Sequence, residues 1–261
     1  MLSDKHGPLN SEEMISEKIH KTPDGMFERI SRETIFFGHQ SVGKNILQGL
    51  AALQNNHPRI RVNVLDYPER TDGKVFLHAP IGRNEDPESK ITGFVEYMNN
   101  GLGEEAGIAF FKFCYVDIKA ETNVGELLQS YKRAMDELAR TYPRTKFLHT
   151  TVPLTVVQKG PKAWIKKTIG RPIGGYADNI QRNRYNELLR QTYGMNAPLF
   201  DIAAVEATLA DGSKNQFNDN GKKYDALVPE YASDGRHLNN IGSRLVAAEM
   251  LLSMARVLDA K

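Results

Sequence analysis

The sequence predicts an α/β fold, with a parallel sheet of about five strands covered by helices on both faces. Three observations predict it. Short apolar runs alternate with longer stretches whose apolar residues recur at helical spacing. The two strongest runs, 108–116 and 147–152, carry little charge, as expected of strands buried on both sides. With 261 residues, 40% of them apolar and 25% charged, the chain suffices for one domain with a full core.

In chain order, residues 1–31 read as an N-terminal arm or helix around Met14, Ile15 and Ile19, and the single domain follows over 32–261. Thr34-Ile35-Phe36-Phe37, bounded by Gly38, is the first strand. Ile46, Leu47, Leu50 and Leu53 mark a helix beginning near Val42. Residues 60–65 alternate like a second strand, and a loop punctuated by Pro68, Gly73, Pro80, Gly82 and Pro87 leads to a helix over 91–98. The run 108–116 is the next strand and ends at Asp117. Leu127, Leu128, Tyr131, Met135 and Leu138 then form the apolar face of an amphipathic helix. A strand over 147–152 closes at Pro153, a polar helix covers 178–193, and 198–202 is a last short strand. The final helix, 241–258, is apolar on most sides, as a helix packed on a sheet should be.

The net charge of +2 argues against nucleic acid as a partner. One cysteine, Cys114, excludes an intramolecular disulfide and a cysteine-based zinc knuckle, and inside an apolar strand it reads as a small buried hydrophobe. The histidines are dispersed without metal-ligand spacing, so neither metal nor cofactor is expected. No window reaches the roughly 18 apolar residues of a membrane span, and the polar first 30 residues hold no signal-peptide core. As written, the chain fits a cytoplasmic protein or an exported one without its signal peptide. Its oligomeric state is not legible.

Two short blocks carry chemistry. Phe37-Gly38-His39-Gln40-Ser41-Val42-Gly43 places a serine at a strand-to-helix turn, where helix N–H groups favour a developing oxyanion. Ser233-Asp234-Gly235-Arg236-His237-Leu238-Asn239 presents an aspartate and a histidine just before the final helix. A serine needs a base to become a nucleophile, and the base needs a carboxylate to orient it. Ser41, His237 and Asp234 answer those three needs. Gly38 to Lys44 also reads G-x-x-x-x-G-K, a nucleotide-binding loop, but Asn45 stands where a magnesium-binding hydroxyl belongs. In a third reading Ser41 merely caps its helix and His237 satisfies a buried backbone group.

The two blocks together resemble those of the SGNH/GDSL hydrolase superfamily, with His39-Gln40-Ser41-Val42 where Gly-Asp-Ser-Leu is usual and D-x-x-H-x-N almost unchanged. The resemblance runs from about Thr34 to Leu258. It implies a flavodoxin-like three-layer α/β/α sandwich, metal-free ester hydrolysis or acyl transfer, and a catalytic set of Ser41, His237 and Asp234. It implies an oxyanion hole from the N–H of Ser41, the N–H of Gly82 and an asparagine amide. The family's asparagine position reads Cys114-Tyr115-Val116-Asp117, so Asn84 is expected to supply the amide, with Gln40 as a second candidate. His39, Gln40 and Asp117 are expected to support the site, Asp117 by bonding to the turn that holds Ser41.

Residues 154–177 read as a lid insertion. Its stretch 158–171 has five basic residues, no acidic ones and the only tryptophan. Trp164, Lys166 and Arg171 are the residues expected to meet an anionic or sugar-containing substrate, although basic runs are also common on solvated faces. The expected partner is a small-molecule or glycan ester, such as an O-acetylated carbohydrate. The alternatives are an acyltransferase with the same triad, a P-loop-like nucleotide-binding protein and a non-catalytic carbohydrate-binding protein.

Overall fold

A computed structural model describes residues 10–69, 72–158, 160–161, 168–169, 173–194 and 199–259. Five parallel strands form the central sheet: β1 (Ile35–His39), β2 (Val64–Asp66), β3 (Phe76–Pro80), β4 (Ile108–Phe111) and β5 (Lys146–Phe147), in the order β2-β3-β1-β4-β5. After Leu148 the chain resumes as β6 (His149–Thr150), which pairs in parallel with β7 (Leu199–Phe200). The main helices among the described residues are α1 (Ser11–Lys21), α2 (Asp24–Ser31), α3 (Val42–Asn56), α4 (Pro87–Tyr97), α5 (Val124–Thr141), α6 (Tyr176–Tyr193), α7 (Ile202–Glu206) and α8 (Asn240–Asp259).

Strand alternation divides the core into two layers. Ile35, Phe37, Phe76, Ile108 and Phe110 face one side, where they pack with Ile46 and Leu50 of α3 and with Leu245, Met250 and Met254 of α8. Phe36, Leu77, Ala109 and Phe111 face the other, against Phe94 of α4, Tyr131 and Met135 of α5 and Tyr185 of α6. The result is a three-layer α/β/α sandwich. Where α3 meets α8 the backbones almost touch: a Cβ on Gly49 would lie 2.1 Å from the carbonyl oxygen of Ser243. No helix of the described residues is long and apolar enough to cross a membrane.

The second strand departs from the sequence expectation. The run 60–65 contributes only its end to β2, at the sheet edge, and the strand beside β1 is β3, inside the stretch read as a loop. Its apolar run, Val75-Phe76-Leu77, is short, and His78 and Pro80 follow at once. Pro80 fits because it is the last residue of the strand, so no ladder hydrogen bond is lost. The strand expected over 108–116 stops at Phe111 and gives way to a tight turn at Tyr115–Asp117. Within the segment read as an N-terminal arm or helix, residues 11–31 provide two helices whose Ile15, Ile19, Phe27 and Ile30 are buried in the first core layer. An antiparallel hairpin, β8 (Gln216–Asp219) with β9 (Lys222–Asp225), carries weak alternation and was not expected.

Candidate active site

The site lies at the carboxyl end of β1, where parallel sheets place their ligands. Ser41 joins β1 to α3 with φ 48° and ψ −105°, a conformation that a non-glycine residue avoids by about 1–3 kcal/mol. The turn is closed by Gly43 N–H and Lys44 N–H, which donate to the carbonyls of Gln40 (3.0 Å) and Ser41 (2.8 Å). It is also filled from below. A Cβ on Gly43 would lie 2.4 Å from the His39 side chain, so only glycine fits there. The imidazole fills the space beneath the turn. The helix-cap reading fails, because the Ser41 side chain makes no capping hydrogen bond. Its Oγ instead lies 2.6 Å from His237 Nε2.

The other half of the pair sits on a turn built by Asp234. Its Oδ1 accepts from the backbone N–H groups of Arg236 (2.9 Å) and His237 (2.8 Å), an aspartate turn completed by Gly235 at φ 81°. Its Oδ2 lies 2.7 Å from His237 Nδ1. An ionised carboxylate only accepts, so Nδ1 carries the proton and Nε2 is left as the acceptor facing Ser41. The His237 hydrogen bond, with the two backbone N–H groups, holds the Asp234 carboxyl down at about 2. Two contacts fix the turn. Val156 N–H donates to the Gly235 carbonyl at 2.8 Å. Asn239 Oδ1 accepts from Ile241 N–H and Gly242 N–H at 3.0 Å each, starting α8 directly behind the histidine. The Tyr115 ring meets His237 edge-on at 5.7 Å.

The third wall is the loop after β3. Gly82 has φ 50°, and a Cβ there would come within 2.6 Å of the Ser89–Lys90 backbone. Gln40 Nε2 donates to the carbonyls of Ile81 (2.8 Å) and Gly82 (2.6 Å). Its amide therefore ties the serine turn to this loop and is spent as an oxyanion donor. Asn84 Oδ1 accepts from Lys90 Nζ at 3.0 Å. Asp117 does not bond to the serine turn, contrary to expectation. Its Oδ2 accepts from Lys90 Nζ and from Cys114 N–H, both at 2.6 Å, and its Oδ1 accepts from Glu85 N–H at 2.9 Å. The reason is that both of its oxygens are already engaged, by Lys90, Cys114 and Glu85.

His39 is a packing residue beneath the turn. Its Nε2 lies 3.3 Å from His78 Nδ1, and burial, reinforced by Lys112, lowers its pKa to about 3, so it stays neutral. Cys114 is fully buried. Trp164, Lys166 and Arg171 lie outside the described residues.

Beside Asp234 opens a pocket of about 530 Å³, lined by Tyr115, Thr155, Asp178, Arg182 and Arg236 among others. Arg182 is 3% exposed and is held by the carbonyl of Tyr115 (2.8 Å), Asn179 Oδ1 (2.8 Å) and Thr155 Oγ1 (3.0 Å). Sequence reasoning missed Lys90, Tyr115 and Arg182. Lone charges on polar helices read as solvated, and no local spacing marks their partners.

No family model matches the chain, and no curated protein matches it. Solved structures do. The periplasmic domain of a lipopolysaccharide acetyltransferase from Salmonella ser. Paratyphi A is 11% identical, with TM-score 0.48, over 90% of this chain and 87% of that one. A structure described as a lipolytic protein of the G-D-S-L family from Desulfitobacterium hafniense is 11% identical, with TM-score 0.46, over 86% and 98%. The C-terminal domain of Drosophila Oskar is 14% identical, with TM-score 0.40, over 84% and 86%. In its sandwich architecture, its serine turn and its D-x-x-H block, the chain resembles a divergent SGNH-like protein.

Proposed function

We propose that this chain is a serine-dependent ester hydrolase of the SGNH type. One observation carries the reading: an unbroken hydrogen-bonded line from Ser41 Oγ through His237 to Asp234, at 2.6 and 2.7 Å, with the serine held on a strained turn at a helix start. In this reading His237 Nε2 takes the proton from Ser41 Oγ as the oxygen attacks the ester carbonyl. Asp234 keeps the imidazole in the reactive tautomer and stabilises the imidazolium that forms. The N–H groups of Ser41 and Gly82 and the Asn84 amide receive the oxyanion. His237 then protonates the leaving alcohol and, as base, draws a proton from the water that releases the acyl group.

The alcohol side of the ester is placed in the pocket beside Asp234. Its cations, Lys119, Arg182 and Arg236, are matched by its carboxylates, Glu85, Asp178 and Asp234. Such a mixed lining suits a hydroxyl-rich group, which both donates and accepts, better than an acyl chain, which would strand the charges. An O-acetylated carbohydrate is the substrate class this favours. The test is intact-mass analysis after incubation with a fluorophosphonate. A single adduct on the wild type, absent from Ser41→Ala and His237→Ala, is expected. An unlabelled wild type would sink the reading.

A further inference from the structure

We propose that Lys90 and Asp117 form a buried positioning device that fixes which end of the Asn84 amide faces the reacting ester. This rests on the hydrolase reading above and adds two residues to it. Both side chains are fully buried, with Lys90 Nζ 2.6 Å from Asp117 Oδ2. An ammonium group only donates, so whatever faces it must accept. Asn84 presents its carbonyl oxygen to Lys90 at 3.0 Å. The amide therefore cannot flip without setting N–H against N–H, and its NH₂ points away from the ion pair. The result is a donor of fixed orientation, the kind of group an oxyanion hole needs.

The backbone around Asn84 is held by the same pair. Gly82 and Glu85, on either side, are both in the left-handed region, with φ 50° and 68°. Asp117 Oδ1 accepts from the N–H of Glu85 at 2.9 Å, so the carboxylate pins the strained end of the loop. Arg83 N–H donates to Ser89 Oγ at 2.8 Å and ties the other side to the start of α4. The loop is connected in turn to the nucleophile, since Gln40, next to Ser41, donates to the Ile81 and Gly82 carbonyls. Packing alone does not explain the pair. Apolar residues of similar volume often serve a core as well as a buried ion pair or better, and an apolar pair would leave the Asn84 amide free to turn.

The experiment is a double-mutant cycle in the full chain, with 4-nitrophenyl acetate as substrate. The perturbed pair is Lys90→Met/Asp117→Asn, which removes both charges together and leaves no lone buried ion. Asn84→Ala alone is expected to lower kcat by about 10²–10³-fold with little change in KM, as loss of one oxyanion donor does. The pair variant is expected to show nearly the same loss, and adding Asn84→Ala to it is expected to lower kcat little further. Lys90→Gln, made together with Asp117→Asn so that no lone charge is buried, keeps a donor toward Asn84 and is expected to recover part of the rate. Losses that multiply, or a folded pair variant with wild-type kcat, would overturn the proposal. Failure of both the pair variant and Lys90→Gln/Asp117→Asn to fold would also overturn it, by making the pair a packing element. Absence of Ser41-dependent turnover in the wild type would be a different failure, that of the hydrolase reading itself.

Discussion

Replacing Ser41 by glycine should make the protein more stable than replacing it by alanine, although the proposed function expects both variants to be inactive. Both lose the 2.6 Å contact between Ser41 Oγ and His237 Nε2. A hydrogen bond of this kind contributes about 0.5–1.5 kcal/mol. Only glycine relieves the backbone. At φ 48° and ψ −105°, a residue with a Cβ is strained by about 1–3 kcal/mol. Glycine offsets part of that gain, about 0.4–1 kcal/mol, through the extra freedom of its unfolded chain. The difference between the variants is then about 1 kcal/mol in favour of glycine, or ~2–4 °C in Tm for a chain of this size. Thermal unfolding followed by circular dichroism, with all three proteins in one buffer, reads it directly. A Ser41→Gly melting point equal to or below that of Ser41→Ala would show that the turn stores no strain.

Two further outcomes are expected. Asp234→Asn keeps the shape of the turn but reverses the tautomer preference of His237, and kcat should fall by about 10⁴-fold while the fold persists; a loss under tenfold in a steady-state assay would remove Asp234 from the triad. Burial pushes the Glu206 carboxyl up to about 8, against an unfolded value of 4.5, although Leu154 N–H donates to it at 2.6 Å. Below pH 4.5 both states are protonated and the group is neutral to stability. Between pH 4.5 and 8 only the unfolded state ionises, so stability falls as pH rises, by up to about 1.4 kcal/mol per unit, and levels off above 8. Glu206→Gln should flatten that decline in denaturant titrations from pH 5 to 8.5, and an unchanged slope would count against it.

The candidate catalytic residues were legible because each sits in a short contiguous string. Ser41 follows an apolar strand and precedes a helical periodicity, and Asp234 and His237 are close enough in sequence for one turn to join them. The supporting residues were not legible. Lys90 reads as a solvated lysine on a helix, and its carboxylate partner is 27 residues away, beyond a strand. Asp117 was visible as a strand-end carboxylate, but its direction depended on a turn that ends β4 sooner than its apolar run does. The strand β3 was hidden for a related reason: a three-residue apolar run between turn formers is recognisable only once β1 is there to pair with it.

The close crossing at Gly49 and Ser243 has a consequence for how the protein is made. The helix that begins after Ser41 and the helix that follows His237 meet there backbone to backbone, while Ser41 and His237 are 196 residues apart in sequence. A chain still emerging from the ribosome can complete β1, α3 and most of the sheet and yet hold a serine with nothing to deprotonate it. On the proposed reading, activation waits for the last helix to dock, and the growing polypeptide stays inert toward esters until its architecture is finished. Catalytic competence then becomes a built-in report that assembly is complete.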